Sequence, residues 1–139
     1  MSSDALLLDT HVWFRYQVLP KLLRPSTADA IDEAALQNAV FVSAISVWEL
    51  AMLERDGRLE LYGGADRWAH EALSKPGISL LPLSPQIAIA SVYLPEPMHK
   101  DPSDRILVAS ARVERMTLVT ADKKILSFAK STGLPCLRG

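Results

Sequence analysis

Ala5-Leu6-Leu7-Leu8-Asp9-Thr10, close to the start of the chain, is the stretch that decides the fold. A short aliphatic run of this kind predicts a β-strand that is buried on both faces. Asp9 follows the run directly, so it is expected at the carboxyl end of the strand. Open α/β sheets place their binding sites at that end. Asp9 is therefore the first candidate for a functional residue.

The rest of the chain alternates between strand and helix patterns. Short β-branched or aliphatic runs predict further strands at 40–43, 78–83, 116–120 and 134–137. Helical spacing predicts helices at 26–39, 44–53, 65–75, 85–94, 105–115 and 122–130, and a helix or irregular turn at 11–16. This alternation favours an α/β fold with a mainly parallel sheet covered by helices on both faces. No linker or repeat interrupts it, so we expect one domain over 1–139.

The composition is that of an ordinary globular chain. The 139 residues are 49% hydrophobic and 22% charged, and the formal net charge is −1. A global basic field is absent, so any contact with nucleic acid must be local. The single cysteine, Cys136, excludes an internal disulfide and a thiolate metal cluster. The sequence has no signal-peptide pattern and no apolar run long enough for a membrane span, so a cytoplasmic protein without membrane contact is expected.

Three acidic residues occupy places comparable to that of Asp9. Glu49 lies within the apolar helix after the second predicted strand, and Asp104 and Asp122 begin the helices before and after the fourth. Parallel strands deliver their next elements to one edge, and the helix preceding a strand starts at that same edge. All four carboxylates can therefore converge. Converging like charges raise one another's pKa, and a bound Mg²⁺ or Mn²⁺ offsets this cost, since hard cations prefer carboxylate oxygen.

Other polar residues are candidates for support around this edge. The hydroxyls of Thr10, Ser46 and Thr120 could hydrogen-bond the carboxylates or a metal-bound water. Arg105 and Lys123 could meet a phosphate, with solvated surface charge as the alternative. Asp101 reads first as a turn residue before Pro102 and second as an additional acid, and His11 is a candidate ligand or proton shuttle.

Each acid also has a purely structural explanation. Asp9 could cap the turn that follows it, and Glu49 could end a capping box that begins at Ser46. Asp104 and Asp122 both fall in a first helical turn, where the macrodipole favours acids. The joint occurrence of all four at one sheet edge favours the metal site.

At these residues the sequence resembles the PIN domain, and specifically the VapC toxin ribonucleases of bacterial toxin–antitoxin pairs. The resemblance rests on four stretches that together span nearly the whole chain: residues 7–13, 42–50, 101–109 and 118–122, which contain Asp9-Thr10, Trp48-Glu49, Asp101-Pro102-Ser103-Asp104-Arg105 and Thr120-Ala121-Asp122. Ser103 departs from the family, which usually has an aromatic residue there.

The resemblance implies a three-layer α/β/α sandwich and a Mg²⁺- or Mn²⁺-dependent endoribonuclease. It carries over Asp9, Glu49, Asp104 and Asp122 as the catalytic and metal-binding acids, Thr120 as a supporting hydroxyl and Asp101 as an additional acid. It also implies a homodimer and a small VapB-like antitoxin that blocks the site. The apolar helix at 87–94 and the aromatics Trp13, Phe14 and Tyr16 are candidates for those contacts, or else they belong to the core.

The expected chemistry is metal-assisted hydrolysis of an RNA phosphodiester, with Asp104 or Asp122 orienting the attacking water. A phosphatase of the haloacid dehalogenase type would need an acid at the position of His11, and a receiver domain would need one at Ser43. A rival of another class is a non-catalytic PIN-like module that binds RNA or protein. The presence of all four acids argues against it, and removal of metal by EDTA distinguishes the two.

Overall fold

The fold is built on five parallel strands: β1 (Leu6–Leu8), β2 (Val40–Ser43), β3 (Ile78–Leu81), β4 (Thr117–Thr120) and β5 (Cys136–Arg138). The computed structural model describes residues 5–95 and 98–139. Within these ranges the strands form one sheet in the order β3-β2-β1-β4-β5, and all four neighbouring pairs are parallel. The predicted parallel α/β sheet is confirmed.

Seven α-helices lie within the same ranges. They are α1 (Thr10–Val18), α2 (Pro25–Leu36), α3 (Ala44–Arg55), α4 (Gly64–Leu73), α5 (Pro85–Val92), α6 (Pro102–Glu114) and α7 (Lys123–Thr132), with a short 3₁₀ turn at Pro20–Leu22. Across the part of the chain that the structure describes, none of these helices has the length and apolar character that a membrane span requires.

The side chains of β1 alternate between two hydrophobic cores. Leu8 belongs to a core that α1, α2 and α4 close, whereas Leu7 belongs to a core that α5, α6 and α7 close. Both leucines are fully buried, and burial of a leucine side chain contributes roughly 1.5–3 kcal/mol. One strand therefore joins both helical layers, and the result is a three-layer α/β/α sandwich.

The aromatic residues after β1 belong to the core. Trp13 is fully buried and lies edge-to-face against Trp68, with 5.1 Å between the ring centres. Tyr16 is 4% exposed, and its hydroxyl donates to Asp32 Oδ1 at 2.6 Å. Phe14 is half-buried and stacks on Trp68. The sequence left two roles open for these aromatics, a place in the core or a contact with a partner protein. Burial shows that Trp13 and Tyr16 belong to the core, so the expectation of a partner contact is wrong for these two.

Several element boundaries differ from the sequence prediction by one to three residues, and two of these differences have a clear local cause. The helix expected at 105 begins a turn earlier, at Pro102, because the Asp101 carboxylate accepts hydrogen bonds from the backbone N–H groups of Ser103 and Asp104. The strand expected to reach 83 ends at Leu81, directly before Pro82, which has no N–H to donate to a neighbouring strand.

The order of the strands creates a crevice between β1 and β4. The chain places β2 and β3 on one side of β1, and β4 and β5 on the other. At such a switch point the connections leave the carboxyl ends of neighbouring strands in opposite directions and open a binding site. Asp9 follows β1 and Thr120 ends β4, so both lie at this crevice.

Candidate active site

A cavity of about 330 Å³ opens at the carboxyl edge of the sheet, above the crevice. The four acids selected from the sequence line it together with a fifth, Asp101. The lining residues are Asp9, His11, Arg15, Glu49, Asp101, Asp104, Ala121 and Asp122. The acids come from β1, α3, α6 and α7, so the arrangement depends on the sheet order and not on proximity in sequence.

Asp9 is the most deeply buried of these acids, with 7% of its surface exposed. Its Oδ2 accepts a hydrogen bond from Thr120 Oγ1 at 2.5 Å, and its side chain makes no capping hydrogen bond to α1. Asp9 therefore occupies the N-cap position of α1, but capping does not account for its carboxylate. Burial raises the pKa of Asp9, while the hydrogen bond from Thr120 lowers it. Burial at the floor of the cavity therefore disfavours the charged form of Asp9.

Glu49 is positioned by a short chain of hydroxyl groups. Thr10 Oγ1 lies 2.8 Å from Glu49 Oε1 and 2.8 Å from Ser46 Oγ. One hydroxyl has one proton, so Thr10 donates to the carboxylate and accepts from Ser46. The cap of α3 is Ser43, which accepts from the N–H of Ile45, and the capping-box explanation of Ser46 and Glu49 is wrong.

The electrostatics of Glu49 agree with this position. Burial raises its pKa, the hydrogen bond from Thr10 lowers it, and the nearby charges of Asp9 and Asp101 raise it.

Asp104 experiences the charge of all the other acids. Its pKa is raised from 3.8 to about 7, first by burial and then by Asp101, Asp9, Asp122 and Glu49. Only 15% of its side chain is exposed. Asp101 itself is the N-cap of α6, and its Oδ1 also accepts from Ser103 Oγ at 2.9 Å. Both expected roles of Asp101, as turn residue and as neighbour of the site, agree with its position.

His99 is a member of the site that the sequence analysis missed. Its Nε2 lies 3.2 Å from Asp104 Oδ2, although the N–H is not aligned for a hydrogen bond. Its Nδ1 accepts from the backbone N–H of Asp101 at 3.4 Å, so the proton of the neutral ring resides on Nε2. The signal in the sequence was a histidine two residues before Asp101 in a loop that enters α6.

Asp122 and Thr120 link the end of β4 to Asp9. Asp122 is the N-cap of α7, and its Oδ1 accepts from the N–H groups of Lys124 and Ile125 at 2.8 and 3.1 Å. Its own N–H donates to Thr120 Oγ1 at 3.0 Å, while the hydroxyl of Thr120 donates to Asp9. Thr120 therefore holds the two acids at a set separation.

Arg105 points away from the cavity. Its guanidinium donates to the backbone carbonyls of Ser91, Val92, Met98 and His99 at 2.9–3.3 Å. These contacts join α5 to the loop before α6. The expectation that Arg105 meets a phosphate beside Asp104 does not fit this geometry, because the donors of its guanidinium are already directed at protein carbonyls. Arg15, which the sequence analysis did not select, does line the cavity.

The donor set fits a hard divalent cation. Five carboxylates surround one cavity, and the pKa is raised for Asp9, Glu49 and Asp104. Burial is the main cause and repulsion among the acids adds to it. A divalent cation would offset this cost, and oxygen ligands are those that Mg²⁺ and Mn²⁺ prefer. In residues 5–95 and 98–139 no three acid side chains already lie close enough to share one ion.

Three comparisons place the chain among known proteins. The sequence profile of the PIN domain matches residues 6–131. Ribonuclease VapC22 of Mycobacterium tuberculosis is 30% identical over 122 residues, which cover 88% of this chain and 90% of the relative.

Among solved structures, VapBC2 from Rickettsia felis, bound to a promoter DNA fragment, matches with a TM-score of 0.71 and 16% identity, covering 96% of this chain and 98% of that one. A toxin–antitoxin complex from Klebsiella pneumoniae matches with a TM-score of 0.59 and 22% identity, covering 86% and 88%. The chain belongs to the PIN domain family.

Proposed function

We propose that this protein is a divalent-metal-dependent endoribonuclease that acts as the toxin of a toxin–antitoxin pair. The observation that carries the proposal is the meeting of Asp9, Glu49, Asp104 and Asp122 in one cavity. The 30% identity to a ribonuclease over most of the chain supports the reaction and the substrate class. We assign the same four carboxylates to metal binding and catalysis.

Each supporting residue has a defined task in this proposal. When bound, the metal lowers the pKa of a water molecule and neutralises charge on the phosphate. Thr120 holds Asp9 Oδ2, and Thr10, itself held by Ser46, holds Glu49 Oε1. These hydroxyls orient the carboxylates and lessen the cost of their burial.

The choice between Asp104 and Asp122 as the residue that orients the attacking water follows from their contacts. Asp122 Oδ1 is committed to two N–H groups at the start of α7. Asp104 makes no comparable capping hydrogen bond in the part of the chain that the structure describes, so its carboxylate oxygens stay available to a water molecule. We assign the water to Asp104.

We further propose Mg²⁺ or Mn²⁺ as the metal, a VapB-like antitoxin as the protein partner, and a homodimer in the cytoplasm. The first follows from the all-oxygen donor set. The antitoxin is supported by the similar fold of a chain in the toxin–antitoxin complex from Klebsiella pneumoniae. For the dimer, α5 offers a mostly exposed apolar surface formed by Ile89, Val92 and Tyr93, and light scattering of the purified protein gives its mass in solution.

The proposal is tested by incubating the protein with total RNA and Mn²⁺ and mapping the new ends. We expect discrete cuts that EDTA abolishes and that Asp9→Asn does not make. The matched control is Asp29→Asn, which removes the charge of an exposed acid on α2 and should cut at the wild-type rate. If Asp9→Asn cut RNA at the wild-type rate, the assignment of the site would be wrong. If EDTA left cleavage intact, the metal dependence would be wrong.

A further inference from the structure

A second cavity, of about 590 Å³, opens beside the acid cavity and shares three of its walls. Asp101, Asp104 and Asp122 line both cavities. The remaining walls of the second cavity carry mainly positive charge or polar nitrogen: His99, Lys100, Lys123 and Lys124. We call this space the lysine cavity. Its position means that any ligand extending out of the acid cavity on this side meets three ammonium groups.

The side chains of the three lysines form no ion pair with the acids beside them. All three are exposed. Among residues 5–95 and 98–139 the ion pairs are Arg55–Asp56, Arg67–Glu71 and His99–Asp104, and none involves Lys100, Lys123 or Lys124. An ammonium group that merely balanced a neighbouring carboxylate would pair with it. These lysines therefore remain available to an external anion.

The acid cavity also carries a cation on the side of α1, which lies in the helical layer opposite to α6 and α7. Arg15 and His11, both on α1, line that cavity, and in the described ranges Arg15 forms no ion pair. The order of charge along the surface is therefore positive at Arg15, negative at the five acids, and positive again at the lysines. The helices α6 and α7 begin at the junction of the two cavities, and their N-terminal ends add partial positive charge there.

Resting on the proposed function, we propose that the lysine cavity binds phosphates of single-stranded RNA next to the scissile bond, while Arg15 binds the strand on the other side. A strand held at both ends lies across the acids, which by themselves repel it. Cavities of 330 and 590 Å³ are large enough for a nucleotide. Single strands also present the unstacked backbone that such contacts need.

The test measures RNA binding without metal and without cleavage. Binding of a fluorescent single-stranded RNA is measured in EDTA, with Asp104→Asn as the common background, between 50 and 300 mM salt. The test variant adds Lys123→Ala and Lys124→Ala. The control variant adds Lys21→Ala and Lys130→Ala, which remove the same net charge at exposed positions that line neither cavity. Lys130 lies on the same helix as the tested pair.

We expect the test variant to bind roughly ten- to thirty-fold more weakly near 0.1 M salt, and its salt slope to fall by about 1.4, since each phosphate contact on a single strand contributes about 0.7. Arg15→Ala should lower the slope by about 0.7. The control should keep the slope of the background. An unchanged slope in the lysine variant, or an equal loss in the control, overturns the proposal. Cleavage by the unmodified protein in Mn²⁺ is scored separately, so failure of the lysine cavity and failure of the proposed function are distinguishable.

Discussion

Replacing Asp104 by asparagine should abolish RNA cleavage and at the same time stabilise the metal-free protein above neutral pH. The pKa of Asp104 is raised from 3.8 to about 7, first by burial and then by four neighbouring acids. Between these values the native state binds the proton more tightly than the unfolded chain does. The free energy of unfolding therefore falls as the pH rises through this window. Asparagine does not ionise in this pH range, so the variant avoids the free-energy cost of a buried negative charge at position 104.

The size of the effect follows from the shift. About three pKa units correspond to roughly 4 kcal/mol at 1.36 kcal/mol per unit, which is an upper bound. The side chain keeps 15% exposure, and the neighbouring acids share the repulsion. We therefore expect Asp104→Asn to raise the free energy of unfolding by about 1–2 kcal/mol at pH 8, and by progressively less towards pH 4.

The assay is urea denaturation in EDTA at several pH values, with Asp29→Asn on α2 as the control for loss of a charge elsewhere. A variant that was less stable than the wild type at pH 8, or a gain that did not depend on pH, would refute the electrostatic reasoning. Adding Mg²⁺ should stabilise the wild type more than the variant, because the metal removes the same repulsion.

Three further changes test other parts of the site. Thr120→Val should weaken Mn²⁺ binding by roughly ten- to a hundredfold, as measured by calorimetry, because Asp9 loses its hydrogen bond from the threonine hydroxyl. Thr120→Ser keeps a hydroxyl and should bind Mn²⁺ as the wild type does. Equal affinities of the Val and Ser variants would contradict this role. Metal affinity should fall as the pH drops from 8 to 6, because Asp104, with a pKa of about 7, must lose its proton to bind the metal. Calorimetry in buffers of different ionisation enthalpy measures the number of protons released on binding. A metal affinity that did not change between pH 8 and pH 6 would contradict this expectation. Arg105→Ala should lower the free energy of unfolding by about 2–3 kcal/mol through lost charged hydrogen bonds to carbonyls, without changing the salt dependence of RNA binding.

The positions of the acids could be predicted because they follow from strand direction alone. The short aliphatic run at Leu6–Leu8 predicts a strand, which the structure has. In a parallel sheet, the direction of this strand then determines which ends of the other elements lie beside Asp9. This inference uses only the direction of the strands and helices, and it does not require the distances between side chains. It located Glu49 and Asp122 correctly beside Asp9, although they are separated by 40 and 113 positions along the chain.

The roles of individual side chains could not be predicted in the same way. Trp13 and Tyr16 have the spacing of a helix face, but which side of α1 meets the sheet depends on packing against Trp68 and α2. Arg105 stands beside Asp104 in sequence, yet consecutive residues on a helix point in different directions. Its guanidinium therefore reaches the α5 carbonyls instead of the cavity. His99 lies in a loop without periodicity, and only the fold shows which acid it meets.

Asp101 and Asp122 each cap a helix and also line the acid cavity, and this has a practical consequence for preparing an inactive form of the protein. Both carboxylates begin a helix by accepting backbone N–H groups, α6 from Asp101 and α7 from Asp122. An amide oxygen caps a helix about as well as a carboxylate, whereas alanine at such a position costs about 1 kcal/mol. An inactive protein intended for crystallisation with RNA should therefore carry asparagine and not alanine wherever one of these two acids is replaced, because asparagine removes the charge and keeps the start of the helix in place.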